Sequence, residues 1–291
     1  MRKFIFSLLF SLACFNPCFA SDWKSLHEEA AKKLLPQALE AVKNNPGLLS
    51  DLYVLGLVHL DLRDDREAGL AFSQILAKDP GNNGAKWGRA EVLRRLHRPD
   101  EAEELLKEVI KTDPGFSPAY ISLAYIKYIR LDLEEALRMA LKVMRQKEGE
   151  LDQANYVRAR ALYAGVKGLI AHYGGPLSKV INGTIVLPTL KNMERIQPDS
   201  PVVLFGLGSF YLLAPSLAGG DMELAGEYLE KAVNADPKLA DIHARLAELY
   251  RAKGDIVKYE QYMNKALELD PQSELALDVK AGGCKYACPG K

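Results

Sequence analysis

Apolar positions along this chain fall into paired helical stripes, and the pairs recur with a period of 34 residues. Ala68, Ala102 and Ala136 keep that spacing, as do Pro46, Pro80 and Pro114. In one register the first unit supplies Leu55, Gly56, Ala68, Phe72 and Pro80, and the second supplies Ala90, Ala102, Leu106 and Pro114. A third has Tyr120, Leu123, Ala124 and Ala136, with Glu148 where the closing proline would stand. Two later units run Leu207, Gly208, Tyr211, Ala225, Ala232, Pro237 and Leu246, Ala247, Tyr250, Gly254, Ala266, Pro271. Antiparallel helices approach to about 8–10 Å only where small residues meet at the crossing. Gly56, Ala90, Ala124, Gly208 and Ala247 take that place on the first helices. Their counterparts on the second helices are Ala68, Ala102, Ala136 and Ala225, while Tyr259 should spread the last pair or face outward. The closing proline has no amide donor and clashes with the preceding turn, so it ends the second helix. Each unit reads helix, turn, helix, stop, and no unit buries its apolar face alone. The prediction is an all-α solenoid of antiparallel helix pairs, its core running along the array.

Between Glu148 and Pro198 lie 50 residues where the period allows 34, so something extra is built there. The pattern predicts a long amphipathic helix over 151–173, stopped at Gly174, Gly175 and Pro176. The apolar run 177–188, with Asn182, Gly183 and Pro188, reads as turn-punctuated before helix resumes over 189–197. A second expansion covers 214–221. Long connections on rigid scaffolds are usually functional or disordered. The apolar Leu217 and Ile185, Val186 and Leu187 favour packed segments.

The units resemble the tetratricopeptide repeat, with its Leu-Gly, Ala, Phe and Pro signature over most of the chain, which implies a right-handed superhelix. A narrower resemblance covers about 165–235. The small-residue helix, proline-containing turn and Gly219, Gly220, Asp221 before the next helix are similar to the T-component of tetratricopeptide-associated TRAP transporters, as is the segment 168–176 around His172. That resemblance implies an exported helical protein paired with a periplasmic solute-binding protein and carrying a hydrophobic pore or groove. The alternative is a general cell-envelope adaptor for assembly or secretion that binds a peptide segment.

Export is expected from the N-terminus. Arg2 and Lys3, the apolar run from Phe4 to Phe15, and Cys18, Phe19 and Ala20 before Ser21 read as a signal peptide cut after Ala20. The run is shorter than the roughly 20 apolar residues a membrane helix needs. A periplasmic or secreted product follows. The competing reading is a lipobox at Leu12, Ala13 and Cys14, leaving a lipid-anchored form, although Ser11 fits that motif poorly. The expected organisation is residues 1–20 leader, 21–281 solenoid with expansions near 149–198 and 214–221, and 282–291 a cysteine-containing tail.

Formal charge balances at zero, with 38 basic and 38 acidic side chains. No basic stripe suited to phosphate backbones is present, so nucleic acid is not an expected partner. A homo-oligomer stays open. Catalytic signatures are missing: the five histidines are scattered, with no zinc-protease, nucleophile-elbow or phosphate-loop spacing. The expectation is a non-catalytic scaffold without cofactor or bound metal. Cys284 and Cys288 read first as a local disulfide in an oxidising compartment, with thiophilic metal binding or intermolecular pairing as alternatives.

Projecting the register onto the concave face gives a partner or ligand groove. Its first unit contributes Tyr53 and Leu57, flanked by Val54 and Leu60. The second contributes Trp87, Glu91 and Arg94, the third Tyr125 and Tyr128 with Ile121, and a later one Phe205, Ser209 and Leu212. Such an aromatic and aliphatic surface suits a partner helix, an apolar peptide or a hydrophobic small molecule.

Overall fold

A computed structural model describes residues 23–147 and 149–289. The leader, the lipobox and Glu148 lie outside the described residues. The described part is helical throughout. It opens with α1 (Trp23–Ala30) and α2 (Leu35–Asn44). Six antiparallel pairs follow: α3 (Leu49–Asp61) with α4 (Asp65–Lys78), α5 (Asn83–Arg95) with α6 (Pro99–Thr112), α7 (Ser117–Ile129) with α8 (Leu133–Met144), α9 (Gln153–Tyr173) with α10 (Pro176–Ile196), α11 (Pro201–Leu213) with α12 (Met222–Ala235), and α13 (Ala240–Ala252) with α14 (Ile256–Leu269). α15 (Glu274–Lys280) closes the array.

Local chemistry sets the helix ends. Asn82, Asp132, Asp152, Asp255 and Ser273 accept a hydrogen bond from the backbone three residues on, each satisfying an orphan amide. At the other end, Asp79, Asp113, Asp236 and Asp270 stand before Pro or the Pro-Gly step and accept the amide two residues later, at 3.0 to 3.2 Å. The crossing residues behave as their size requires. Ala68, Ala102, Ala136 and Ala225 are fully buried. The Phe72 ring lies between α3 and α5, so close to both that a β-carbon on Gly56 or Gly88 would meet it at 2.7 or 2.4 Å. Tyr259 is half-buried, under the guanidinium of Arg251 at 5.8 Å.

Two expectations are corrected. The segment 177–188 is not turn-punctuated: it is the first half of α10, which runs unbroken to Ile196 with Pro188 inside it. Asn182 is tied into that helix by its amide to the Ser178 carbonyl at 3.1 Å, and Lys167 of α9 donates to its side-chain oxygen at 2.9 Å. Thr184 and Thr189 return hydroxyl bonds to the Val180 and Ile185 carbonyls around the proline that lacks an amide. The turn after α11 is ordered by its backbone, since Gly220 donates to Pro215 O and Asp221 to Tyr211 O. A β-carbon at Gly220 would sit 1.9 Å from the Ala214 carbonyl oxygen. Leu217 nevertheless does not pack; it is fully exposed.

The superhelix closes on itself along a seam. Arg63 in the α3–α4 turn chelates Asp236 with Nε at 2.8 Å and Nη2 at 2.6 Å, and Lys238 returns a bond to the Leu62 carbonyl at 2.8 Å. One repeat further, His97 meets Asp270 at 2.8 Å. In the third step the tail crosses over: Tyr286 donates to the Ile129 carbonyl at 2.8 Å and Tyr173 to the Lys285 carbonyl at 2.7 Å. Arg63, His97 and Leu131 all adopt positive φ, 56° to 62°, at the turn where Gly254 does so in the last pair. A non-glycine residue there costs about 1–2 kcal/mol. At Arg63 and His97 the side chain that incurs this cost is the one that reaches across the seam.

Candidate functional site

The seam leaves the concave face as a partly covered cavity of about 1640 Å³, larger than the roughly 300–1,000 Å³ of most small-molecule sites. The inner faces of α3, α5, α7, α9, α11 and α13 supply walls, and α10 adds one more because both members of its pair have 21 residues against 12 to 14 in the others. Of the projected groove residues, Leu57, Trp87, Glu91, Arg94, Tyr125, Tyr128, Phe205 and Ser209 line this cavity, with Leu60 and Ile121. Tyr53 and Leu212 do not. Tyr53 is buried against Phe72 and beneath α1, Leu212 belongs to the core, and Val54 packs towards α2. A shift of one helical position turns a side chain by about 100°, enough to move it from cavity to core.

The polar end is built on α5, α9 and α1. Glu91 is 2% exposed and is held by Arg94 at 2.9 Å, with Arg158 of α9 at 3.7 Å. Burial alone would raise its carboxyl, but the two guanidinium groups hold it well below the usual carboxylate range. Arg94 also lies 4.6 Å from the centre of the Tyr125 ring. Burial pushes the Tyr125 and Tyr128 hydroxyls up, so both stay protonated. Trp87 donates its indole hydrogen to Ser122 at 2.9 Å, which leaves its ring free to meet His27 at 5.1 Å.

His27 fixes α1 over this end. The Asn155 amide donates to Nδ1 at 2.9 Å, so the ring proton sits on Nε2 and is donated to the Tyr53 hydroxyl at 2.9 Å. Burial pushes the imidazole down to about 4, against an opposing pull from Asp152. The unfolded ring titrates near 6.5 and takes up a proton first. This contribution to stability is therefore complete above pH 6.5 and is lost as the pH falls towards 4, by about 3 kcal/mol in all. We expect the urea midpoint to drop between pH 7.5 and 5, and the drop to flatten in His27→Gln. An equal slope in both proteins would remove His27 as its source.

The other end is apolar and open. α9 presents Ala161, Gly165, Gly168 and His172 to the cavity at helical spacing, facing Leu187, Val202, Phe205 and Leu213. Val180 and Leu217 line the cavity while being 63% and fully exposed, which places a mouth between α10 and the α11–α12 turn. Leu177 and Ile181 extend that exposed rim. The α9 stripe was not in the sequence projection; its spacing of small residues was the available signal. Cys284 and Cys288 form a disulfide in the tail that carries the third step of the seam. Among the described residues no helix is long and apolar enough to cross a membrane, and no group of three or more His, Cys, Asp or Glu side chains gathers as for a metal ion.

Tetratricopeptide-repeat family models match residues 59–124, 217–239 and 240–273, the last spanning α13 and α14 together. The chain carries tetratricopeptide repeats. Among curated proteins this tetratricopeptide chain is 24% identical over 219 residues to a tetratricopeptide repeat and J domain-containing co-chaperone of Fusarium oxysporum, and 23% identical over 245 residues to the human protein O-mannosyl-transferase TMTC3. Those matches take in 65% and 84% of the chain but only 40% and 25% of the two relatives. Among solved structures, human IFIT1 superposes with a TM-score of 0.58 at 13% identity, over 89% of this chain and 58% of that one. A tetratricopeptide repeat protein from Parabacteroides merdae gives 0.51 at 13% identity, over 88% and 96%. At such identities the likeness is one of fold, an all-helical tetratricopeptide solenoid.

Proposed function

We propose that this tetratricopeptide scaffold is an exported, non-catalytic accessory that docks a periplasmic solute-binding protein of TRAP type and shelters an apolar ligand. The observation that carries the reading is the large, partly covered cavity on the concave face. A tetratricopeptide array that clamps a peptide leaves its concave face open along its length, whereas here the seam and α1 partly cover that face, and Val180 and Leu217 form an apolar rim at one opening. Around α9 the wall is Ala161, Gly165, Gly168, Leu187, Val202, Phe205 and Leu213, a stretch that repays burial of hydrocarbon and offers a peptide backbone few hydrogen-bond partners. The exposed rim of Leu177, Val180, Ile181 and Leu217 suits the docking of the partner that delivers or receives the ligand. A general envelope adaptor that binds a peptide is the second reading, supported by the repeat fold alone.

Native mass spectrometry of the protein released gently from its own cell envelope tests this. The expected result is a defined complex with a solute-binding protein and an apolar adduct on the scaffold. A peptide in place of the adduct, or an assembly or secretion component as partner, would favour the adaptor. Gly168→Leu isolates the cavity's share. A β-carbon there meets nothing nearer than Val186 Cγ2 at 3.9 Å, so the substitution starts on the cavity face without a backbone clash. Replacing a mid-helix glycine gains up to about 1 kcal/mol. The variant should keep or raise its melting temperature and lose the adduct; retention of the adduct would place the ligand elsewhere.

A further inference from the structure

We propose that the ligand of the cavity is a single-chain anionic amphiphile, its carboxylate bound by Arg158 and its tail laid along α9 towards the Val180 and Leu217 mouth. This rests on the apolar-ligand reading above and names the ligand's class. The first argument is the distribution of charge. Glu91 is hydrogen-bonded by Arg94 at 2.9 and 3.4 Å, and Arg158 reaches the same carboxylate only at 3.7 Å, beyond a hydrogen bond. Arg95, the next cation on the wall, is taken by Asp65 at 2.9 Å and the Leu60 carbonyl at 2.8 Å. Asp152, another acid on the wall, is occupied by the Asn155 amides at 3.0 and 2.7 Å. One carboxylate thus serves two guanidinium groups. Among the described residues Arg158 donates no hydrogen bond, and its side chain is 39% exposed on the cavity wall. A guanidinium in that position binds carboxylate with two parallel N–H donors.

The second argument is length and polarity. From Arg158 to His172 the cavity face of α9 advances 14 residues, about 21 Å at the helical rise. Carbon–carbon bonds of about 1.5 Å in an extended zigzag advance about 1.25 Å each, so the trough matches a chain of about sixteen carbons. Gly165 and Gly168 keep its floor low: an added β-carbon would reach van der Waals contact with Tyr128 at 3.7 Å and Val186 at 3.9 Å. The charged end is roofed by α1 and the apolar end is open to the surface. An uncharged chain would cover Arg158 with hydrocarbon and desolvate it without compensation. A peptide would carry unsatisfied amides past Ala161, Gly165, Leu187 and Phe205.

The test is calorimetric titration of the delipidated protein with hexadecanoate and with hexadecanol, in wild type, Arg158→Gln and Glu91→Gln. We expect hexadecanoate to bind the wild type at least about tenfold more tightly than hexadecanol, and Arg158→Gln to remove that advantage while hexadecanol binds unchanged, which also reports an intact cavity. Glu91→Gln frees Arg158 from its shared partner and should tighten hexadecanoate. Equal binding of acid and alcohol, unmoved by Arg158→Gln, would overturn the head-group assignment and leave the apolar-ligand reading standing. Failure of both ligands to bind the wild type would overturn both.

Discussion

Glu91→Gln should lower the stability of the folded chain on the order of 3 kcal/mol, the usual consequence of removing one member of a buried ion pair. The carboxylate is 2% exposed, and two guanidinium groups depend on it. Glutamine keeps the shape and removes the charge, so Arg94 would retain its packing over Tyr125 and lose its counter-ion inside a wall of low polarity. The loss is read as a lower denaturant midpoint with an unchanged slope. A shift below about 1 kcal/mol would mean that water in the cavity already screens the pair. Because the folded carboxyl is held well below its unfolded value of about 4.5, this contribution is complete above that pH and is lost progressively as acidification passes below it, where the unfolded chain takes up the proton first. Between pH 7.5 and 5, above the range where the carboxylates protonate, the acid sensitivity of the wild type should come from His27.

Phe72→Ala should cost about 3–5 kcal/mol, as large-to-small changes of a fully buried aromatic do. Its ring fills the space that two glycines leave between consecutive first helices, so the deletion opens a void bounded by backbone. The same geometry predicts a coupling. Gly88→Ala in the wild type drives a methyl to within 2.4 Å of the ring, an overpacking worth about 1–3 kcal/mol. In the Phe72→Ala background that methyl enters the void and should be neutral or stabilising. A double-mutant cycle with less than about 0.5 kcal/mol of coupling would show that the helices simply slide apart to admit the ring.

The 34-residue spacing of alanine and proline was enough to read the helix pairs, their crossing points and their ends, because crossing distance and helix termination are local consequences of residue size and a missing amide. The first half of α10 was not legible. Asn182, Gly183 and Pro188 carry turn chemistry, and it took Lys167 from α9 and the two threonine hydroxyls to hold them helical. On the cavity face, Leu57, Glu91, Arg94, Tyr125 and Phe205 were within reach of the register, whereas Tyr53 and Leu212 fell a fraction of a turn away. The seam left a faint trace. Arg63 and His97 occupy the position where glycine is the economical choice, and Asp236 and Asp270 repeat at the same interval. Nothing in a linear sequence states that those two series face one another across 173 residues.

An open array of repeats is stabilised by nearest neighbours, so either end can fray while the middle holds. The chelate of Arg63 with Asp236 and its companion at His97 change that boundary condition, since an early turn is anchored by a late one and the reverse. The entropy of closing so long a loop grows only with the logarithm of its length, so the cost set against the Arg63, Lys238 and His97 bridges and the bonds of Tyr286 and Tyr173 is modest for its length. The molecule then resembles a clasped bracelet rather than a coil of rope. Loosening the clasp lets the first and last pairs part together, and the interior widens without any helix having to unwind.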